Sequence, residues 1–132
     1  MEPVYRPFDR RTDPAPVAGN AQQEVVISAT EQVKILVHAV LVKRTSGAAV
    51  GTNQPRIYLV AGDAADAASE RWRAAAATAA GSLINTTGIN RPLTTVKFPA
   101  GSADAGKYGF YFIIDGDVLN AFTYEIFYEV LH

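Results

Sequence analysis

Residues 121–131 read AFTYEIFYEVL, and their alternation restricts the fold of this chain more than any other stretch. Phe122, Tyr124, Ile126, Tyr128 and Val130 fall on one face, while Thr123, Glu125 and Glu129 mark the other. A repeat of two is the period of a pleated strand with one face against a core. Upstream lies Lys107–Ile114 (KYGFYFII), and Asp115-Gly116 between the two runs is a hairpin signal. A chain that ends in two such strands has to supply a β core for them.

Further strand-like runs occur along the chain. Glu24–Thr30 and Gln32–Lys43 are rich in β-branched residues, and Arg56–Ala61 and Leu93–Phe98 are shorter runs of the same kind. In Gln32–Lys43, Val33, Ile35, Val37, Ala39 and Leu41 read as an unbroken apolar face. Leu36, Val40 and Val42 accompany Lys34 and His38 on the other, as in a strand covered on both sides. Loops are expected at Ser46-Gly47, Gly51–Pro55, Asn85–Pro92 and Pro99–Gly106. Asp63–Ala80 is alanine-rich, with Asp66 or Ser69 as a candidate N-cap and Gly81 as a stop, and is read as a short helix. The alternative is a strand, because Trp72–Ala80 carries no long apolar face. About seven strands at this spacing predict a mainly β fold, an antiparallel β-sandwich of jelly-roll or immunoglobulin-like type. One short alanine-rich helix would accompany it.

The first 23 residues differ in kind. They hold four of the seven prolines (Pro3, Pro7, Pro14, Pro16), and Arg6, Arg10 and Arg11 are balanced by Glu2, Asp9 and Asp13. Proline fixes φ, removes a donor and biases its predecessor towards extended conformations, so neither a helix nor a central strand fits. The expected organisation is an extended N-terminal arm, 1–23, and a sandwich, 24–132. Ordering such an arm costs on the order of 1–2 kcal/mol per residue, so it needs a surface to lie on. Its reach of roughly 75 Å exceeds the domain, and a neighbouring subunit is the expected surface. Val4, Tyr5, Arg6, Phe8, Arg10, Arg11 and Val17 are the candidate partner-binding residues. Deleting 1–23 is expected to leave a folded domain that no longer associates.

Composition narrows the chemistry. The 132 residues fit one domain, and 48% hydrophobic with 19% charged residues excludes global disorder. A net charge of −1 provides no field for nucleic acid, and three arginines beside three acids make a poor binding arm for it. The apolar runs are strand-length, so no membrane partner is expected. The opening MEPVYRPFDRR lacks the apolar core of a signal peptide. There is no cysteine, which removes disulfides and thiolate chemistry.

Candidate sites read as structural. His38 lies within an apolar strand, His132 is terminal, and Ser28 has no nucleophile-elbow context. Glu125 and Glu129 would stand about 13 Å apart on a strand, too far for a glycosidase pair. Their expected role is a solvated face or partners for arginines on a neighbour. Asp115, Asp117 and Asn120 offer oxygens in a turn but lack the glycine and distal glutamate of a calcium loop. Tyr108, Phe110, Tyr111, Phe112, Tyr124, Phe127 and Tyr128 could stack on a sugar, although alternating aromatics more often fill a core. No enzyme activity, cofactor or metal is expected.

An arm at 1–23 followed by a compact sandwich at 24–132 resembles the small decoration (cement) proteins and related head or tail components of tailed bacteriophages. The resemblance rests on architecture and covers the whole chain without a diagnostic motif. It implies a structural virion protein that binds a major capsid protein or another virion protein, acts as a homo-oligomer (a trimer favoured) and reinforces the shell. A head–tail adaptor or tail protein, and a carbohydrate-binding module, are the alternatives.

Overall fold

The computed structural model describes residues 9–46, 54–62, 69–74, 83–86, 89–115 and 121–131; within these, the side chains of 13–16, 83–86 and 115 are left aside. Ten strands are defined there: β1 (Asp9–Ala18), β2 (Gln23–Ser28), β3 (Lys34–Ser46), β4 (Gln54–Tyr58), β5 (Glu70–Arg73), β6 (Leu83–Thr86), β7 (Arg91–Thr94), β8 (Val96–Lys97), β9 (Tyr108–Asp115) and β10 (Ala121–Leu131). They form two antiparallel sheets. Sheet A runs β1-β10-β3-β6, with β7 pairing β3 beyond the end of β6. Sheet B runs β2-β9-β4-β5, with β8 pairing β9.

The pairing order identifies the sandwich type. β1 pairs β10, β2 pairs β9, β3 pairs β6 and β7, and β4 pairs β5, while β1, β2, β3 and β4 alternate between the sheets. This is a long antiparallel ribbon rolled upon itself, the jelly-roll arrangement. An immunoglobulin sandwich places its first two strands in one sheet; here they lie in different sheets.

The core between the sheets follows the alternation of the strands. Phe122, Tyr124 and Ile126 of β10 meet Phe110, Phe112 and Ile114 of β9, joined by Val25, Ile35, Val37, Val40, Val42, Ile57, Trp72 and Leu93. The rings of Phe112 and Tyr124 lie 4.6 Å apart. β9 is buried on both faces, because Tyr111 and Ile113 join Tyr58 and Phe98 in a second cluster on the outer side of sheet B. Tyr111 stacks on Tyr58 and meets Phe98 edge-on. Gly109 permits the close approach of β2, since a Cβ there would overlap the Val25 carbonyl and press on the Phe98 ring.

β3 departs from the simple alternation read in the sequence. Phe127 pairs Ala39 and Tyr128 pairs Val37, which leaves His38 as an extra residue in a bulge. The bulge shifts the phase of the strand. Ile35 and Val37 face the core on one side of it, Val40 and Val42 on the other, and Ala39 and Leu41 turn outward. The expected single face Val33–Leu41 is therefore two half-faces.

No helix occurs among the described residues, and the alanine-rich segment is corrected at its centre. Glu70–Arg73 is a strand paired with β4, with Ser69 immediately before it. Helix propensity yields here because Trp72 is buried opposite Ile57 while Glu70 reaches Arg56 across the ladder. Residues 63–68 and 75–80 lie outside the described residues. The segment read as an arm enters the sandwich itself, since Asp9–Ala18 is the edge strand of sheet A. Its prolines, Pro14 and Pro16, fall where the β1–β10 register shifts, between Asp13 and Val17, the kind of edge position that tolerates proline.

Two polar devices hold the joints. Thr95 links β7 in sheet A to β8 in sheet B and is fully buried. Its backbone N–H and hydroxyl donate to the Val33 carbonyl, both at 2.9 Å, and Val33 N–H donates back to the hydroxyl at 3.0 Å. At the β4–β5 edge, Arg56 is 1% exposed and donates to Glu70 at 2.7 Å, and Arg73 donates to the same carboxylate oxygen at 2.9 Å.

Candidate interaction surface

The two sheets differ in how their outer faces are finished. Sheet B buries Arg56, Tyr58, Tyr111 and Ile113 on its outer side. Sheet A leaves its outward residues partly exposed: Leu36, Ala39 and Leu41 from β3, and Phe127 from β10. Across the ladder Ala39 lies opposite Phe127, Leu41 opposite Glu125 and Leu36 opposite Glu129, so the four apolar residues share one outward face as a band interleaved with carboxylates. Ionisable residues border it. His38 Nε2 lies 3.1 Å from Glu129 Oε1, and Arg10 Nη1 lies 4.0 Å from Glu125 Oε2. The Arg10 guanidinium also sits 6.0 Å from the centre of the Phe127 ring. At one end, Lys34, Pro92, Leu93, Thr94 and Leu131 line a shallow depression, and Leu131 is 39% exposed.

β1 forms the free edge beside this face. Arg10 is on its outward side, opposite Phe127, and Arg11 on its core side, opposite Ile126. Arg11 Nε is buried and has no hydrogen-bond partner among the described residues. Val17 packs against the core, opposite Phe122. Of the seven residues expected to bind a partner, these three lie on one edge strand. Val4, Tyr5, Arg6 and Phe8 lie outside the described residues. Glu125 and Glu129 do share the outward face, as their spacing predicts, and each faces a cation or imidazole of its own chain.

The other sequence candidates are placed as follows. Ser28 Oγ accepts the Thr30 and Glu31 N–H groups in a turn closing β2. It belongs to sheet B, whereas His38 faces outward from sheet A. Asp117, Asn120 and His132 lie outside the described residues, and among those described no three acidic or histidine side chains converge as a metal site. The aromatics do not form one platform: Phe110, Tyr111, Phe112 and Tyr124 are buried, and Tyr108, Phe127 and Tyr128 are partly exposed at separate places. No helix among the described residues is long and apolar enough to cross a membrane.

Burial raises the Tyr111 phenol above its ordinary value, and the Glu24 carboxylate adds to the shift. Tyr128 is raised first by burial and then by Asp9, against a lowering from Arg11. Both phenols therefore favour their neutral, hydrogen-bonding form.

Sequence reasoning missed the outward band because it took β3 as unbroken. The signal was present: apolar residues at 35 and 37 resume at 40 and 42, the phase jump that one bulged residue produces. No family model, no curated protein and no solved structure matches the chain.

Proposed function

We propose that this chain is a structural assembly protein that works through the outward face of sheet A and its β1 edge. The observation that carries the reading is the apolar band Leu36–Ala39–Leu41–Phe127, partly exposed and rimmed by the Arg10–Glu125 and His38–Glu129 pairs. An apolar centre with a charged rim is the anatomy of a protein–protein contact. The buried outer side of sheet B makes the contrast within one molecule.

In its finer form the proposal places the chain in a virion, as a decoration protein on a capsid shell, with a homo-oligomer as the binding unit. It rests on the sandwich part of the resemblance, since residues 9–18 of the expected arm form β1 of sheet A. The jelly roll is shared by viral capsid proteins, lectins and cupins, so the fold by itself does not choose among them.

Sedimentation of the native source, followed with an antibody to the chain, tests the proposal. The expected result is recovery with a large particle, and recovery solely as a free low-mass species would sink it. Phe127→Glu should retain the fold and weaken particle retention by about tenfold or more, the effect expected of charging a contact centre. Retention unchanged in that variant would move the contact away from this face.

A further inference from the structure

We infer that β1 is an exchangeable strand, able to leave the edge of its own β10 and pair with β10 of a second copy of this chain. The inference rests on the assembly reading and names one partner for it.

Three observations carry it. First, the seat is explicit: Asp9–Asp13 pair with Tyr128–Tyr124, and Val17-Ala18 with Phe122-Ala121, so the complementary occupant of the β10 edge is a segment every copy possesses. Second, β1 is lightly held. None of its described residues is fully buried, although Arg11 Nε is; Val17 packs on the core, Asp9 and Arg10 are exposed, and β10 is the one strand it contacts extensively. Third, the hinge is short. Gly19 to Gln22 carries the chain from sheet A to sheet B, with Asn20 in the left-handed region at φ 62° and its N–H bound to the Ile114 carbonyl at 2.9 Å. Extending such a hinge gives up the Asn20–Ile114 bond while the strand–strand bonds re-form between copies, which is the low-cost route to exchange. The prolines favour this too, because the Asp13–Val17 discontinuity divides β1 into two short pairing blocks that can release in sequence.

The chain has no cysteine, so introduced thiols report without interference. Thr12 and Glu125 face each other across the ladder, a separation a disulfide spans. Chains carrying Thr12→Cys alone and Glu125→Cys alone are denatured together, refolded and oxidised. The expected product is a covalent heterodimer of the two, absent when Thr12→Cys is mixed with Ala103→Cys, an exposed loop site. Exchange is overturned if the mixture yields no heterodimer while the double variant Thr12→Cys/Glu125→Cys closes wholly within single chains. Equal dimer in the Ala103→Cys control overturns it as well. Should either variant fail to fold, Arg10→Cys with Phe127→Cys reads the same register. A negative result here with continued particle sedimentation removes strand exchange and leaves the assembly reading. Heterodimer formation without any particle does the reverse.

Discussion

Arg56 shows how much a single residue can require of its neighbours. A guanidinium 1% exposed in the outer layer of sheet B is tolerable because Glu70 meets it at 2.7 Å and the same carboxylate receives Arg73. Removing one partner of a buried pair leaves a charge with too little compensation, which costs about 3 kcal/mol or more. Glu70→Ala should therefore lower the urea midpoint steeply, and Arg56→Met combined with it should recover much of the loss; equal stability of Glu70→Ala and the parent would show that the pair contributes nothing. The buried tyrosines give a pH dependence. Because the folded Tyr111 and Tyr128 phenols are raised above the ordinary 10.0, their contribution is fully present below pH 10. It is lost as pH rises through the folded values. Unfolding free energy should fall in alkali in step with phenolate absorbance, and Tyr128→Phe should flatten that fall. A decline of the same size in Tyr111→Phe/Tyr128→Phe would assign it to other groups.

At the scale of elements, periodicity was legible wherever a strand is regular and half-buried. β10 shows the face Phe122–Val130 that its alternation announces, and β2, β4 and β9 lie within a few residues of their expected places. Legibility failed for three physical reasons. The bulge at His38 reverses the phase of β3, which a fixed period cannot follow. β5 is formed by tertiary contacts of Trp72 and Glu70 that overrule alanine's helix preference. β1 is an edge strand, where proline and charge are tolerated and so conceal the strand. The interaction face was hidden for the first of these reasons, since Ala39 and Leu41 were read on the same face as Ile35 and Val37. A deletion separates bulge from phase. Removing His38 restores strict alternation, with Val37 and Val40 inward and Ala39 outward. It should cost about 1–2 kcal/mol, with the Glu129 contact and the Ile89 N–H to His38 carbonyl bond among the interactions lost. Removing Leu41 instead turns every residue on one side of the gap to the wrong face and should abolish folding. Circular dichroism and urea melts of the two deletions decide it: if both unfold the chain, the bulge is indispensable in its own right.

For the whole molecule, the rolled-ribbon topology makes the N-terminal strand the lid on the C-terminal one. β1 brings little apolar surface, yet it satisfies the outer edge of β10, the strand that carries Phe122, Tyr124 and Ile126 into the core. An uncovered edge of unpaired N–H and C=O groups is a template for other chains. Removing residues 1–18 should therefore leave the remaining sheets assembled but lower stability by about 2 kcal/mol, chiefly through lost ladder bonds and the Val17 contact. Self-association should rise at the same time. Removing 1–8 alone leaves β1 in place and is the control for the larger deletion. Urea melts and sedimentation velocity across a concentration series measure both effects. If the 1–18 deletion were as stable and as dispersed as the 1–8 deletion, β1 would be a passenger on the sandwich and the edge would need no cover. If instead it aggregates, and a peptide of residues 1–18 added in trans disperses it, then the β10 edge accepts β1 from outside its own chain. That is the property an exchangeable strand requires.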